Sequence, residues 1–143
     1  MKKMLFTAAF ALIGFMASAQ FMVTMDIPLK NFDTDNFENY TKTIGVGYSI
    51  NDTYTVGIKD IGIEDGIRLF GRYNFNESIY AAATILTKTP EGFEMLDFVT
   101  VEVGYSYNVY NAFFVEPSLL TALSPPEGYE RDLQLNLGLA YRF

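Results

Sequence analysis

The sequence predicts an all-β chain whose eight antiparallel strands close into a barrel, and three observations lead to that prediction. After Gln20, apolar residues recur at every second position in short blocks, with no sustained period of 3.6 residues. Turn-forming residues separate the blocks. The joins between blocks are alternately short and long, as in single-chain barrels with an even number of strands. The eight blocks cover residues 21–29, 42–50, 53–61, 67–75, 79–88, 98–107, 112–121 and 133–143.

The first nineteen residues are predicted to be a cleaved signal peptide. Lys2 and Lys3 precede an uncharged apolar run, 4–16, and the small residues Ala17-Ser18-Ala19 follow it. The run is too short for a membrane-spanning helix, which needs about 20 apolar residues. A buried N-terminal helix is the alternative. We therefore expect a leader, 1–19, and one barrel domain, 20–143.

The composition excludes several kinds of chemistry. The chain has no cysteine, which excludes disulfides, thiolate metal sites and lipoprotein attachment. It has no histidine, so the commonest general base and neutral metal ligand is missing. The net charge of −7 disfavours nucleic acid as a partner. The pattern Asp33-x-Asp35-x-x-Glu38 lacks the central glycine and the length of a calcium loop. We expect no enzymatic site, cofactor, bound metal or nucleic-acid partner.

The two faces of each block distinguish a membrane barrel from a soluble one. In the last block, every second residue from Leu133 to Phe143 is apolar, and the residues between are Gln, Asn, Gly, Ala and Arg. A soluble, lipocalin-like barrel would carry Lys, Glu and Gln on its water-facing side. Here the polar faces are rich in small residues, which suit a narrow lumen. The pattern favours a transmembrane barrel whose apolar face contacts lipid, with a soluble ligand-binding barrel as the alternative.

The lengths of the joins predict which end of the barrel faces which side. The short joins, Asn51-Asp52, Asn76-Glu77-Ser78 and 108–111, are expected to be periplasmic turns. Aromatic residues recur at this end of the even-numbered blocks and predict a ring at the membrane interface. The longer joins are expected to be four acidic external loops. Each holds three carboxylates: Asp33, Asp35, Glu38; Asp60, Glu64, Asp65; Glu91, Glu94, Asp97; and Glu127, Glu130, Asp132.

Seven charged side chains are expected inside the barrel. Glu102 and Glu116 are predicted one diagonal step apart on neighbouring strands, with Arg68 and Arg72 as partners across the lumen. We interpret Arg68, Arg72, Glu102, Glu116 and Arg142 as a structural network, because an unpaired buried charge is costly. A carboxylate pair performing acid–base chemistry is the alternative. The seven residues are Asp26, Lys59, Arg68, Arg72, Glu102, Glu116 and Arg142.

The sequence leaves the register of the fifth and seventh blocks undetermined. Pro117 cannot donate to a ladder, so a bulge or a locally missing bond is expected in the seventh block. The fifth block has no clear parity, and pairing Tyr80 with Phe75 across the turn would place Tyr80 outside. Pairing Tyr107 with Phe113 would set the register across the third turn.

The last block carries a recognisable pattern, Asn136-x-Gly138-x-x-Tyr141-x-Phe143. It resembles the β-signal of outer-membrane barrels, which implies transient recognition by the barrel-assembly machinery. With its eight blocks, the mature chain resembles the small barrels of the OmpX type and the OmpA membrane domain. The resemblance implies a location in the cell outer membrane, among its lipid and lipopolysaccharide. Known outer-membrane lipid A esterases, acyltransferases and proteases rely on a histidine that this chain lacks.

These observations together predict a structural or surface-interaction protein that displays four acidic loops. A narrow, porin-like or transport-associated barrel is the second hypothesis. A lipid-modifying enzyme is the third, disfavoured by the missing histidine. No motif in the loops identifies an external partner.

Overall fold

The computed structural model describes residues 21–30, 43–59, 66–89, 91–125, 127–128 and 131–143. The predicted leader, 1–19, lies outside these residues, as do seven of the twelve predicted loop carboxylates: Asp33, Asp35, Glu38, Asp60, Glu64, Asp65 and Glu130. In the described part, no helix is long and apolar enough to cross a membrane. The strands are β1 Phe21–Pro28, β2 Ile44–Ser49, β3 Tyr54–Lys59, β4 Arg68–Asn74, β5 Ile79–Leu86, β6 Thr100–Tyr105, β7 Tyr107–Tyr110, β8 Phe113–Ala122 and β9 Gln134–Arg142, with a 3₁₀ helix at Met95–Phe98.

The strands form one closed antiparallel barrel. Consecutive strands pair from β1 to β6, β1 pairs with β9, and β8 pairs with β9, β6 and β7. β6 and β7 are two segments of the sixth barrel strand, interrupted at Ser106, so the nine segments make eight barrel strands. The predicted eight-stranded antiparallel barrel is confirmed. Closure leaves no free sheet edge for another chain to pair with.

Two of the three tight turns use the same side-chain chemistry. The Asn51 side-chain oxygen accepts hydrogen bonds from the backbone N–H groups of Thr53 and Tyr54, both at 2.8 Å. Asn76 makes the same two bonds in the turn between β4 and β5. Asparagine favours such turns because its side chain can replace a backbone acceptor. The three tight turns lie at one end of the barrel, here called the turn end, and the opposite end is called the loop end.

The β4–β5 turn determines which way Tyr80 faces. The Phe75 N–H donates to the Ile79 carbonyl at 2.9 Å, so the turn holds three residues, 76–78. Asn74 consequently pairs with Tyr80, and Tyr80 is buried inside the barrel at 3% exposure. The pairing of Tyr80 with Phe75, considered above, is wrong because the turn shifts the register by one residue.

The third turn is tighter than expected. β7 continues to Tyr110, which pairs with Phe113, so Asn111-Ala112 forms a two-residue turn. Asn111 has a φ of 48°, in the left-handed region that asparagine tolerates better than most residues. A bulge between Asn108 and Tyr110 adds one residue on the β7 side, so Tyr107 pairs with Val115 instead of Phe113, a register difference of two residues that keeps every side chain on its predicted face.

The interruption of the sixth strand lies opposite Pro117. The ladder to β8 ends at the Gly104–Ser118 pair and resumes at Tyr107–Val115. Pro117 falls in this gap and has no N–H to donate. On its other side, β8 pairs with β9 without a shift, and Pro117 lies opposite Leu137. The proline thus interrupts the ladder on one side only.

The outward face of the barrel is apolar. In the nine segments described, no outward-facing position carries a charge. Val103, on β6, is 59% exposed, and Leu69 and Leu135 are also exposed. Ile27 shares the outward parity of β1 but is 7% exposed, and no described contact explains its burial.

The inward face combines glycines with large side chains. A Cβ on Gly104 would lie 2.3 Å from Cζ of Tyr80, and one on Gly57 would lie 2.5 Å from Cε1 of Phe70. Each large ring therefore lies directly over the backbone of a neighbouring strand. An eight-stranded barrel has an interior just wide enough for its side chains, and these glycines provide the space for the rings.

This packing predicts that Gly104→Ala destabilises the barrel while Gly71→Ala does not. The new methyl group at position 104 has no room beside Tyr80, and overpacking of this kind costs about 1–3 kcal/mol. Nothing lies within 4 Å of a Cβ at Gly71, so the matched change should stay within about 0.5 kcal/mol. Unfolding in urea of both variants, refolded in lipid vesicles, measures the difference. Equal effects would contradict the assigned faces.

Candidate functional site

Glu116 is the centre of the larger charge cluster in the lumen. Arg72 binds its carboxylate with both terminal nitrogens, Nη1 to Oε2 at 2.8 Å and Nη2 to Oε1 at 2.9 Å. Oε1 also accepts hydrogen bonds from Ser106 Oγ at 2.7 Å and from Arg142 Nη2 at 2.6 Å. Such two-pronged guanidinium–carboxylate pairs are among the strongest hydrogen-bonded contacts in proteins. The buried carboxylate is therefore fully partnered.

The register of β8 brings these residues together. Because Tyr107 pairs with Val115, Glu116 lies across from the strand break at Ser106. On its other side Glu116 pairs with Gly138 of β9, where an added Cβ would lie 3.2 Å from Cβ of Glu116. The glycine lets the backbone of β9 pass close to the carboxylate-bearing side chain.

A second cluster is built around Lys59 on β3. Its Nζ donates to Asp26 Oδ2 at 2.7 Å and lies 3.9 Å from Glu102 Oε2. Tyr80 donates its hydroxyl hydrogen to Glu102 Oε1 at 2.8 Å. Glu102 therefore has a cation and a phenol as partners.

The expected proximity of Glu102 and Glu116 is wrong. Glu102 pairs with Leu120, which is two inward positions along β8 from Glu116. The two carboxylates belong to separate clusters because the register across β6 and β8 differs by two residues from the expected one. Because each carboxylate has its own partners, Glu102 and Glu116 do not form an adjacent pair for acid–base chemistry.

Arg68 does not join the contacts of Glu116, contrary to the expectation. It is the first residue of β4 and is exposed at the loop end, whereas Arg72 is buried. Four residues of strand separate the two arginines by about 13 Å. Phe70 lies between them on the same face and is buried. Lys59 is the cation nearest to Glu102 instead.

Tyr80 and Ser106 are the interior partners that the sequence prediction missed. Tyr80 required the correct count of residues through the turn at Asn76. Ser106 required the register of β8, which the tight turn at Asn111-Ala112 sets. The sequence predicts Lys59 and Asp26 inside the barrel but does not predict that they pair.

Each of the three interior cations also lies over an aromatic ring. A ring face attracts a cation electrostatically, and more strongly where water is excluded. With the carboxylates of Asp26, Glu102 and Glu116, the described clusters hold three negative and three positive groups. The cation-to-ring distances are 3.6 Å for Arg72 and Tyr80, 3.9 Å for Arg142 and Phe114, and 5.2 Å for Lys59 and Phe70.

The charge clusters separate two cavities of very different size. At the turn end, an open vestibule of about 920 Å³ has Arg72, Arg142 and Ser106 at its floor. Deeper in the lumen, between Lys59 and Glu116, the next cavity has a volume of about 10 Å³. That space is about the size of one water molecule. Among the described residues, the interior side chains around Lys59, Arg72 and Glu116 thus leave open space of only about 10 Å³.

The residues of the predicted assembly signal lie on both faces of β9. Asn136 and Gly138 face inward, and Asn136 is buried opposite Ser118. Tyr141 and Phe143 face outward, with ring centroids 4.9 Å apart. Recognition of this segment by an assembly machinery stays a prediction.

No protein-family model matches the chain, and no curated protein matches its sequence. Among solved structures, the fold is similar to the solution NMR structure of the de novo designed protein TMB2.3, a designed transmembrane β-barrel. The two chains share 16% sequence identity, and the TM-score is 0.48. The similarity covers 87% of this chain and 94% of the designed one.

The contacts of Glu116 predict coupled effects of mutating it and Arg72. Glu116→Gln leaves Arg72 and Arg142 without their shared carboxylate, Arg72→Met leaves Glu116 with Arg142 alone, and the double variant removes the Arg72–Glu116 pair. A double-mutant cycle on unfolding free energies should give a coupling of about 1–3 kcal/mol.

The matched control is a cycle of Glu116→Gln with Arg68→Met. Arg68 lies at the loop end of the same strand, so this second cycle should be additive within about 0.5 kcal/mol. Equal coupling in both cycles would show that the effect is not specific to the observed contact.

Proposed function

We propose that the chain is an integral outer-membrane barrel with a structural or surface-interaction role. The observation that carries this proposal is the inverted polarity of the barrel. Charged residues such as Arg72 and Glu116 are buried inside, while apolar residues such as Val103 are exposed outside. In water this arrangement would expose a continuous apolar surface around the whole molecule. In a bilayer the same surface contacts hydrocarbon.

The height of the apolar surface fits a membrane. In β9 and the residue on either side of it, the outward positions run from Leu133 to Phe143 without a charged residue, and both end residues are exposed. Ten residue steps at the rise and tilt of barrel strands correspond to about 25 Å along the barrel axis. Membrane barrels have an apolar band of about this height.

Aromatic rings mark one border of this band. The four tyrosines near the turn end of the even-numbered barrel strands are 40–48% exposed. Two of them contact an aromatic ring of the adjacent strand edge to face, with centroids 5.3 Å apart. Aromatic side chains with a polar tip are favoured at the border between hydrocarbon and water. The tyrosines are Tyr48, Tyr73, Tyr105 and Tyr141.

The filled lumen supports a structural role over conduction or catalysis. Arg72 of β4 binds Glu116 across the lumen and Arg142 binds it from the adjacent strand β9, between the vestibule and the interior cavity of about 10 Å³. We propose that this network stabilises the barrel and has no catalytic role.

At the loop end, we propose that the acidic loops contact lipopolysaccharide or an external partner. Glu94 precedes the 3₁₀ helix before β6, and Asp97 lies within it. The Asp97 side chain accepts a hydrogen bond from the Glu94 N–H at 2.9 Å, and the Glu94 carbonyl accepts one from the Asp97 N–H at 3.1 Å. Lys30 and Asp132 form an ion pair that joins the ends of β1 and β9. These contacts order parts of the loops that would present the carboxylates.

Lipid exposure can be tested with a single tryptophan, because the chain contains none. Val103→Trp places the fluorophore on the outward face, and Phe114→Trp places it on the inward face of β8. In vesicles of brominated-chain phospholipid, the first variant should lose most of its fluorescence and the second should lose little. Heat-dependent migration on gels verifies that both variants have refolded into the barrel.

Quenching of the Val103→Trp variant by aqueous iodide, with no effect of brominated lipid, would contradict the membrane proposal. That result would instead indicate a water-soluble barrel.

The assembly signal can be tested with two aromatic residues in matched positions. Phe143 and Phe75 both lie at the turn end, each with its ring 4.9 Å from the tyrosine two residues before it. We expect Phe143→Ala to lower the amount of folded protein in outer membranes at least several-fold, and Phe75→Ala to change it little. Both variants should refold equally in vesicles without any assembly factor. Equal loss of both variants from cells would mean that interface packing, rather than a terminal signal, is responsible.

A further inference from the structure

Arg142 connects the vestibule with the cluster of Arg72, Glu116 and Arg142, here called the plug. Its side chain is 31% exposed, and both of its hydrogen bonds, to Ser106 and Glu116, use Nη2. The Phe114 ring covers one face of the guanidinium group, with Cζ 3.9 Å from the ring centroid. Among the described residues, Nε and Nη1 have no hydrogen-bond acceptor. The arginine therefore retains unused donors at the vestibule floor.

The floor of the vestibule also carries an excess of positive charge. Arg72 and Arg142 share a single carboxylate, that of Glu116, so one positive charge is not compensated there. Arg72 uses Nη1, Nη2 and Nε for Glu116 and Asn74. Arg142 is consequently the guanidinium of this cluster that can accept another anion.

The walls of the vestibule offer further donors. The side-chain oxygens of Asn51 and Asn76 are occupied by turn N–H groups, which leaves their NH₂ groups for other partners. Both residues line the vestibule, whose volume of about 920 Å³ is within the range of small-ligand sites. Among the described residues that line the vestibule, the side-chain carboxylates are those of Asp52 and Glu77, both on turns. Glu116, which binds Arg72 and Arg142, lines the interior cavity instead.

We propose that the vestibule binds a compact oxyanion, a carboxylate or a phosphate group, through Nε and Nη1 of Arg142. A planar guanidinium edge matches two oxygens of such a group. Asp52 and Glu77 near the opening repel negative charge, so the site favours one small anionic group over a polyanion. The group belongs either to a free anion or to a lipid headgroup at the turn end. This site goes beyond the structural role proposed above and does not depend on it.

Nuclear magnetic resonance of the refolded full barrel can detect this binding. The probes are sodium phosphate and sodium acetate, titrated at constant ionic strength against sodium chloride. We expect saturable shifts of the Arg142 Nε–H signal and of the Ser106 amide, but no such shifts with chloride. Zwitterionic nanodiscs with or without phosphatidylglycerol form the second arm. Saturation by the lipid in place of the free anions would identify a headgroup as the source.

Four single substitutions distinguish a specific site from general charge screening. Arg142→Lys keeps the charge but loses the planar edge and should weaken binding about tenfold, whereas Arg131→Lys, whose side chain bonds to Leu123 outside the vestibule, should not change it. Removing the repelling charges with Asp52→Asn and Glu77→Gln leaves the plug intact and should tighten binding about twofold for each charge. Shifts that are linear in every probe, or affinities that are the same in all variants, would overturn the proposal. Either result would leave the lipid-quenching test of the membrane proposal unaffected.

Discussion

The ion pair between Arg72 and Glu116 is the interaction on which the interior of the barrel depends. Glu116 is 4% exposed, and a carboxylate buried this deeply is costly unless its oxygens are fully hydrogen-bonded. Its partners come from β4, β9 and the break between β6 and β7. The pair thus links strands on different sides of the lumen, and the other interior contacts are arranged around it.

The narrow radius of an eight-stranded barrel explains the rest of the interior. Two large rings lie against neighbouring strands that present glycine, as Gly104 does to Tyr80 and Gly57 does to Phe70. The rings in turn cover the cations, so that Arg72 has a carboxylate at its edge and Tyr80 on its face. Burial, charge pairing and the positions of the glycines therefore depend on one another, because a change in one alters the space or the hydrogen-bond partners that the interior side chains have.

The same network divides the molecule into regions with different chemistry. On the side of the plug away from the vestibule, the described side chains leave a cavity of only about 10 Å³. Before it, the vestibule is open, and its floor carries the excess positive charge of Arg142. The outside of the barrel is apolar and lacks charge on every described strand. In the membrane setting proposed above, the barrel would therefore present different chemistry on its outside, in its lumen and at its turn end.

The sequence by itself determined the strands and, for all of them except β5, their faces, because side chains alternate with a period of two along a strand. It did not determine which residues lie opposite each other, since a shift of two residues preserves every face. Tyr80 and Ser106 became partners of Glu102 and Glu116 only through turn geometry at 76–78 and 111–112. Arg68 has the parity of Arg72 but lies at the loop end. Depth in the barrel, and therefore which charges meet, was decided by the tertiary structure, because it depends on the register of strands that are distant in sequence.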